Sequence, residues 1–395
     1  MEYEFRQLRE EELPAWFDHL ATVFAHVGRE YFMNHWYQDP WANLAGIEVA
    51  VRQGEIAATV RTFQRAVHMG CAQVRMGGIG EVSTKEAHRR KGLSGRLLES
   101  ALHNMWADKV GVSVLFTGNV AHYQRHGWEI VKAERWRYSG LPVTLPGAMD
   151  VQVRPINYAY DIESVAAIYD RTSAAFAGPL ARSMPYWWNW LRAKHAKTLV
   201  AEKDGQILAY LLTNRREDQL QIEEFGVKPE AVGALIALMN AVLEPAADAP
   251  KSMLMPAALR QTLADALQAL PTPPERNEQK IMCRVVNPVA LAQQMRPVWV
   301  KRLQAAGWRG ALVLDTGMGS CCLRMDDAGL NIGAAEQADA VDVPKATFSH
   351  EEFINLLYGN GDAAEIGRCT TPAARTAVQA LFPAVIHTWW PADGF

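Results

Sequence analysis

The stretch GGIGEVSTKEAHRRKGLSGRLL, residues 77–98, constrains this chain more than any other. Small and β-branched residues run into a loop carrying Arg89, Arg90, Lys91 and Gly92, and a helical pattern starts immediately afterwards. Apolar residues at Leu93, Leu97, Leu98, Ala101, Leu102, Met105 and Trp106 predict one buried helix face. A helix N-terminus leaves backbone N–H groups unpaired and carries partial positive charge, which suits an anion. Gly92 and Gly95 permit strained backbone angles and close approach, and Ser94 adds a hydroxyl. The set describes a pyrophosphate cradle. The same residues also fit a solvated basic helix start that happens to contain glycines.

The neighbouring pattern alternates strands and helices. Residues 3–8 and 72–84 read as strands, 10–25 as a helix, and GIEVAVRQGEIAATVRTF as two strands turning at Gln53-Gly54. VSVLFT is a short buried strand, NVAHYQRHG a short helix closed by Gly127, WEIVKAERWRY a strand, and LPVTLPG a linker. A second unit starts near Asp150 and echoes the first. At one constant offset Val49, Ala50, Gly54, Ile56 and Ala58 meet Val200, Ala201, Gly205, Ile207 and Ala209. QIEEFGVKPEAVGALIALMNAVL then repeats a strand and an amphipathic helix without any counterpart of HRRKGLSG. From about Asn287 the pattern becomes α+β, with ALVLDTG and SCCLRMDD as adjacent strands and FSHEEFINLLYG and PAARTAVQALF as helices.

Composition excludes several classes. With 49% hydrophobic and 21% charged residues, all parts can fold. A net charge of −3 with dispersed cations argues against nucleic acid as a partner. No apolar run spans a bilayer and the charged N-terminus lacks a secretory signal, so no membrane partner is expected. Five cysteines without a C-x-x-C pair indicate neither disulfides nor zinc, and a cytoplasmic, reducing location is the expectation. Cys71 and the Cys321-Cys322 pair sit in strand-like runs and read as core. His122 and His126, four apart, lack a third ligand, so no metal is expected.

The ordered set of strand, R-R-K-G-x-S-G, long helix, strand, Tyr123 helix, Gly127-Trp128 and strand resembles the GNAT superfamily of N-acetyltransferases. Arg89, Gly92 and Ser94 fill its Arg/Gln-x-x-Gly-x-Gly/Ala signature, with serine a departure in the last place. The resemblance implies acetyl-CoA as cosubstrate, held by Val82, Ser83 and Thr84 along the pantetheine arm. Arg89, Arg90, Lys91, Gly92, Leu93, Ser94 and Gly95 would hold the pyrophosphate, with Gly118 and Asn119 on the same side. An N–H of residues 82–84 would stabilise the oxyanion, and Tyr123 would protonate the departing thiolate.

IYDRTSAAFAGPLARSMPYWWNW, KIMCRVVNPVAL, FINLLYG and the terminal phenylalanine extend the resemblance to the enhanced-intracellular-survival (Eis-type) acetyltransferases. This implies an α+β, mixed α/β chain of tandem GNAT folds with a sterol-carrier-protein-like C-terminal domain. The boundaries would be 1–140 (catalytic), 150–285 (degenerate) and 286–395. It further implies that the carboxylate of Phe395 is the general base, that Phe24, His26, Trp36 and Asp393 touch substrate, and that the chain forms a homohexamer. The acceptor would be a cationic small-molecule amine of the aminoglycoside kind. A protein lysine is a second acceptor class, and an acyl-CoA- or lipid-binding module a non-enzymatic one. A free α-carboxylate has a pKa of about 3.5 and needs burial to become a useful base. TWWPADGF also reads as a strand sealing its own domain.

Overall fold

The computed structural model describes residues 2–395 except 142, 245–248, 336–342, 364 and 366. One large sheet is built from β1 (Glu4–Gln7), β2 (Ile47–Arg52), β3 (Glu55–Met69), β4 (Ala72–Thr84), β5 (Val112–Leu115), β6 (Glu129–Ser139) and β7 (Gln152–Pro155). It continues with β8 (Ala177–Leu180), β9 (Leu199–Lys203), β10 (Gln206–Arg216), β11 (Gln219–Val227), β12 (Ser252–Pro256) and β13 (Glu275–Val285). The order is β1-β2-β3-β4-β5-β13-β6-β12-β11-β10-β9-β7, with β8 paired to β3.

The two halves of this sheet repeat one another. In each, an antiparallel hairpin turns through two positive-φ residues, Gln53-Gly54 in the first and Asp204-Gly205 in the second. Both hairpins carry a register shift at equivalent places, between the pairs Ala50↔Ala58 and Val51↔Ile56 and between Ala201↔Ala209 and Glu202↔Ile207. The bulge residues' carbonyls, Ala57 O and Leu208 O, each accept a hydrogen bond at 2.9 Å, from Lys85 N–H and Lys228 N–H. A parallel strand follows each time, β5 on β4 and β12 on β11. A bulge kept at the same register in both halves is a feature of a shared fold, since one slipped residue would turn every side chain to the wrong face.

The last strands are exchanged. β13, from the second half, pairs antiparallel with β5 of the first, while β6 of the first pairs antiparallel with β12 of the second. β6 and β13 also pair with each other from Glu129↔Cys283 to Arg137↔Glu275. The sheet is therefore continuous across the boundary expected near residue 150.

The helix Leu93–Ala107 buries Leu93, Leu97, Leu98, Ala101 and Met105 against the first half. Trp106, expected on that face, is 50% exposed, because it follows Met105 by one residue and so points about 100° away. Cys71 is likewise not core: it is exposed in the turn between β3 and β4. Cys321 and Cys322 are buried on a strand, as read. A second sheet of β14 (Gly310–Asp315), β15 (Ser320–Asp326), β16 (Gly329–Ala334), β17 (Lys345–Thr347) and β18 (Arg368–Cys369) runs in the order β16-β15-β14-β17-β18. The 18-residue helix Pro288–Ala305 packs against β4, β15 and β16, opened by Pro288 and an Asn287 side chain that accepts from Ala290 N–H. Among the described residues no helix is long and apolar enough to cross a membrane.

From residue 383 the chain leaves the small sheet and returns to the large one. Ala177 N–H donates to Ile386 O at 3.0 Å, and Thr388 N–H to Ala177 O at 2.9 Å. A side chain at Gly178, where φ is +109°, would stand 2.8 Å from the His387 ring, so glycine admits the tail here. Trp390 is wholly buried and Trp389 nearly so.

Candidate active site

β4 is shaped by one extra residue. Its ladder with β3 passes from Ser83↔Thr59 to Gly80↔Arg61, and Glu81 adopts φ +54° at the bulge. On its other edge β4 pairs with β5 only from Met76↔Val112 to Gly78↔Val114. Beyond Gly78 the two strands part, leaving backbone N–H and C=O groups of β4 without a ladder partner in β5. Ser83 is held from behind: its hydroxyl lies 2.9 Å from His19 Nε2, and His19 Nδ1 lies 3.0 Å from Ile56 O. Burial pushes the His19 pKa down to about 4, so the ring is neutral at pH 7. The carbonyl only accepts, hence Nδ1 carries the proton and Nε2 accepts from Ser83.

Val82, Ser83 and Thr84 open into a groove of about 820 Å³ that also takes in Arg89, Arg90, Lys91, Gly92, Leu93, Ser94 and Gly95. Arg90 and Gly92 have φ of +60° and +73°, and Gly92 is the N-cap of the long helix with no side chain capping it. The first-turn N–H groups thus face the groove with nothing but a glycine before them. A Cβ at Gly92 would meet nothing within 4 Å, which is the open space a ligand needs. Arg89 reaches Thr84 O at 3.3 Å, and Lys91 Nζ reaches Tyr3 Oη and Ala87 O at 3.2 Å each. The far wall is His122 and His126. Ser94 Oγ stands 3.5 Å from His122 Nε2, and a Cβ at Gly95 would stand 3.2 Å from the His126 ring. Burial lowers the pKa of both histidines, so the positive charge of the groove comes from the arginines and Lys91. Among the described residues no group of three or more His, Cys, Asp or Glu is placed to hold a metal.

Tyr123 lies on the short helix Val120–Gln124, nearly buried in the cluster that includes Leu93, Leu97 and Trp128. Its ring stands edge-on to Trp128 at 6.2 Å, and burial raises its pKa to about 12. A phenol in that state keeps its proton at neutral pH and can donate it. Trp128 Nε1 donates to Ser113 Oγ (3.2 Å), which donates to Gly77 O (2.7 Å), tying this helix's neighbour back to β4. Gly118 and Asn119 are exposed in the loop before that helix.

The far end of the chain meets β4 at its fork. The Phe395 ring packs on Phe63 (4.9 Å between centroids), Phe116 (5.9 Å) and Trp389 (6.0 Å). It lies so close to Gly78 that a Cβ there would stand 2.6 Å from Cε2 and 2.9 Å from Cε1. The second half of the large sheet holds this tail in place. Asp393, 1% exposed, receives Arg182 Nε and Nη2 at 2.9 Å each, and Arg182 Nη1 donates to Glu224 at 2.9 Å. Tyr210 donates to the same Glu224 at 2.8 Å. Asp393 is thus consumed as an anchor, with both oxygens engaged by one guanidinium. Lys194 Nζ adds contacts to Ala392 O (2.8 Å) and Gly394 O (3.5 Å).

Phe24 is half-buried against Phe32 (5.7 Å), His26 is exposed just past the helix Leu13–Val23, and Trp36 is buried under the Arg61 guanidinium (5.2 Å). Trp36 therefore belongs to the layer beneath Phe63 and Phe395, whereas His26 stays at the surface. Sequence reasoning missed the charges of that layer. Arg61 and Arg65 both reach Asp39 Oδ2 at 3.0 Å, and Arg61 reaches Glu81 at 3.3 Å. Arg61 also lies 4.0 Å over the Phe63 ring. Glu81 Oε2 is buried without a partner, and burial raises the Glu81 pKa. The available signal was Arg61, Phe63 and Arg65 at alternate positions of one strand, a period that puts them on one face. Glu224 stands three residues before the residue opposite Ala209, as Glu81 stands three before the residue opposite Ala58, so both halves bury a glutamate against an arginine.

Residues 4–131 match the family described as acetyltransferase (GNAT) domain. The chain thus carries a GNAT acetyltransferase domain, and such a domain implies the use of acetyl-CoA. An uncharacterized N-acetyltransferase of Streptomyces coelicolor is 27% identical over 263 residues, 63% of this chain and 62% of that relative, under two thirds of its length. Several solved structures match 100% of this chain. Among them are a GCN5-related N-acetyltransferase from Anabaena variabilis (TM-score 0.72, 14% identity, 100% of that chain), one from Kribbella flavida (0.73, 18%, 98%) and Eis1 from Mycobacterium abscessus (0.65, 14%, 100%). At such identities the likeness shows the fold: a mixed α/β architecture shared with GNAT proteins over the full length.

Proposed function

We propose that this chain is an acetyl-CoA-dependent N-acetyltransferase that moves acetyl directly to a primary amine. The observation that carries the reading is the forked β4, with Phe395 packed at the fork and the uncapped helix N-terminus beyond the strand's end. The uncapped N–H groups, the positive-φ loop, its cations and the 820 Å³ groove suit the pyrophosphate of acetyl-CoA. The unpaired edge of β4 suits the pantetheine arm, which can add to it as a strand would. A neutral amine attacks the thioester carbonyl, the C–N bond forms and the C–S bond breaks. The Phe395 carboxylate takes the amine proton and Tyr123 supplies one to the thiolate. A β4 N–H in the 82–84 segment steadies the oxyanion.

The acceptor we favour is a cationic small molecule of the aminoglycoside kind, a reading that rests on the resemblance to the Eis-type enzymes, since Glu81 and Asp39 are already engaged by Arg61 and Arg65. The division into 1–140, 150–285 and 286–395, the sterol-carrier-like third part and a homohexamer belong to the same reading.

The test is CoA thiol release from acetyl-CoA across a panel of amines, with wild type, Tyr123→Phe and a chain lacking Phe395. Turnover reduced about 10²-fold in Tyr123→Phe is expected. Tight CoA binding without turnover on any amine would instead identify a binding module. Full activity without Phe395 would remove the terminal carboxylate from the mechanism.

A further inference from the structure

We infer that Lys194 is a self-acetylation site, a resident amine that the chain modifies when acetyl-CoA is bound and no acceptor is present. The inference rests on the transferase reading above. Lys194 follows the aromatic turn Trp187–Leu191 of the second half, yet its ammonium reaches the tail whose last ring packs on β4. It donates to the carbonyls of Ala392 and Gly394, the latter the residue bonded to Phe395. It also lies 4.8 Å from the Trp190 ring centroid, and Trp190 lies 4.8 Å from His35 in the layer of Trp36 and Arg61.

Two further properties fit an acceptor rather than an inert tether. The residue as a whole is exposed, although its head packs against the tail. Burial of the head, reinforced by Arg182 and Arg65 against the pull of Asp393, lowers its pKa to about 8. A lysine so placed keeps a usable neutral fraction at pH 7–8, and only the neutral amine is a nucleophile.

In the reaction the Lys194 nitrogen forms a C–N bond to the acetyl carbon as the C–S bond breaks. The amine proton goes to the terminal carboxylate and the thiolate takes the Tyr123 proton, giving CoA thiol and a neutral N-acetyl-lysine. The product has lost its charge and two of its three donors. It can no longer hold both tail carbonyls, so acetylation loosens the terminal residue and slows transfer to external amines.

The experiment incubates the full chain with acetyl-CoA and no amine, and maps lysine acetylation by peptide mass spectrometry over time. Lys203 and Lys251, both exposed, report chemical background. Expected is labelling of Lys194 at least about 10-fold faster than these, slowed about 10-fold or more in Tyr123→Phe and suppressed by an acceptor amine. Labelling of Lys194 at the background rate, in a chain that releases CoA with added amines, overturns the inference and leaves the transferase standing. Equal labelling in wild type and Tyr123→Phe overturns it too, since the modification is then chemical. No CoA release with any amine overturns the transferase reading and this one with it.

Discussion

Replacing Gly78 by alanine tests whether the placement of the last residue matters. The added Cβ would stand 2.6 and 2.9 Å from two carbons of the Phe395 ring, where ordinary contact begins at 3.4 Å. The strand cannot yield, because Gly78 is paired on both edges, to Phe63 in β3 and Val114 in β5. The ring must therefore move by about 1 Å, and overpacking of this kind costs roughly 1–3 kcal/mol. A misplacement of about 1 Å in a group that acts on the reacting atoms can cost about 10²-fold in rate. We expect kcat for CoA release to fall about 10- to 100-fold in Gly78→Ala, with a cooperative melting transition retained. Phe395→Ala keeps the terminal carboxylate and makes room. The double variant should accordingly be no slower than Phe395→Ala alone, a coupling read from a double-mutant cycle. Wild-type kcat in Gly78→Ala, or rate losses that simply multiply in the double variant, would refute the reasoning that ring position sets activity.

Gly92→Ala places a methyl in the cradle at φ +73° and should raise the KM for acetyl-CoA about 10-fold with little change in kcat, measured by initial rates. Asp393→Asn leaves Arg182 with Glu224 alone; breaking a buried pair costs about 3 kcal/mol, and the tail should become cleavable by carboxypeptidase while the rest of the chain resists. Burial holds His19, His68, His350 and His387 near a pKa of about 4, against 6.5 for the free side chain. Between those values the unfolded chain binds more protons, so stability is whole above pH 6.5 and declines as pH falls towards 4. Urea midpoints should drop between pH 7 and pH 5, and equal midpoints would contradict the burial of these rings.

The sequence by itself determined the local parts. GGIGEVSTKEAHRRKGLSGRLL carries its own strand, loop and helix because each depends on spacing of a few residues: a glycine at the positive-φ helix start, Gly92, and apolar residues at helical intervals. The echo of residues 48–58 in 199–209 was legible for the same reason, since a tight turn and a bulge leave their marks within eleven positions. What the sequence could not show were relations between distant segments. The exchange of β6 and β13 depends on which edge each strand finds, and an alternating pattern such as ERNEQKIMCRV fits many edges. Arg61, Asp39, Glu81 and Arg65 are ordinary surface residues in a linear reading. Only the fold buries them together and leaves one oxygen of Glu81 unpaired. Asp393, expected from sequence to touch substrate, has both its oxygens taken by Arg182, more than two hundred residues earlier. The tertiary structure decided these because a buried charge needs its partner in space, and chain separation does not encode that distance.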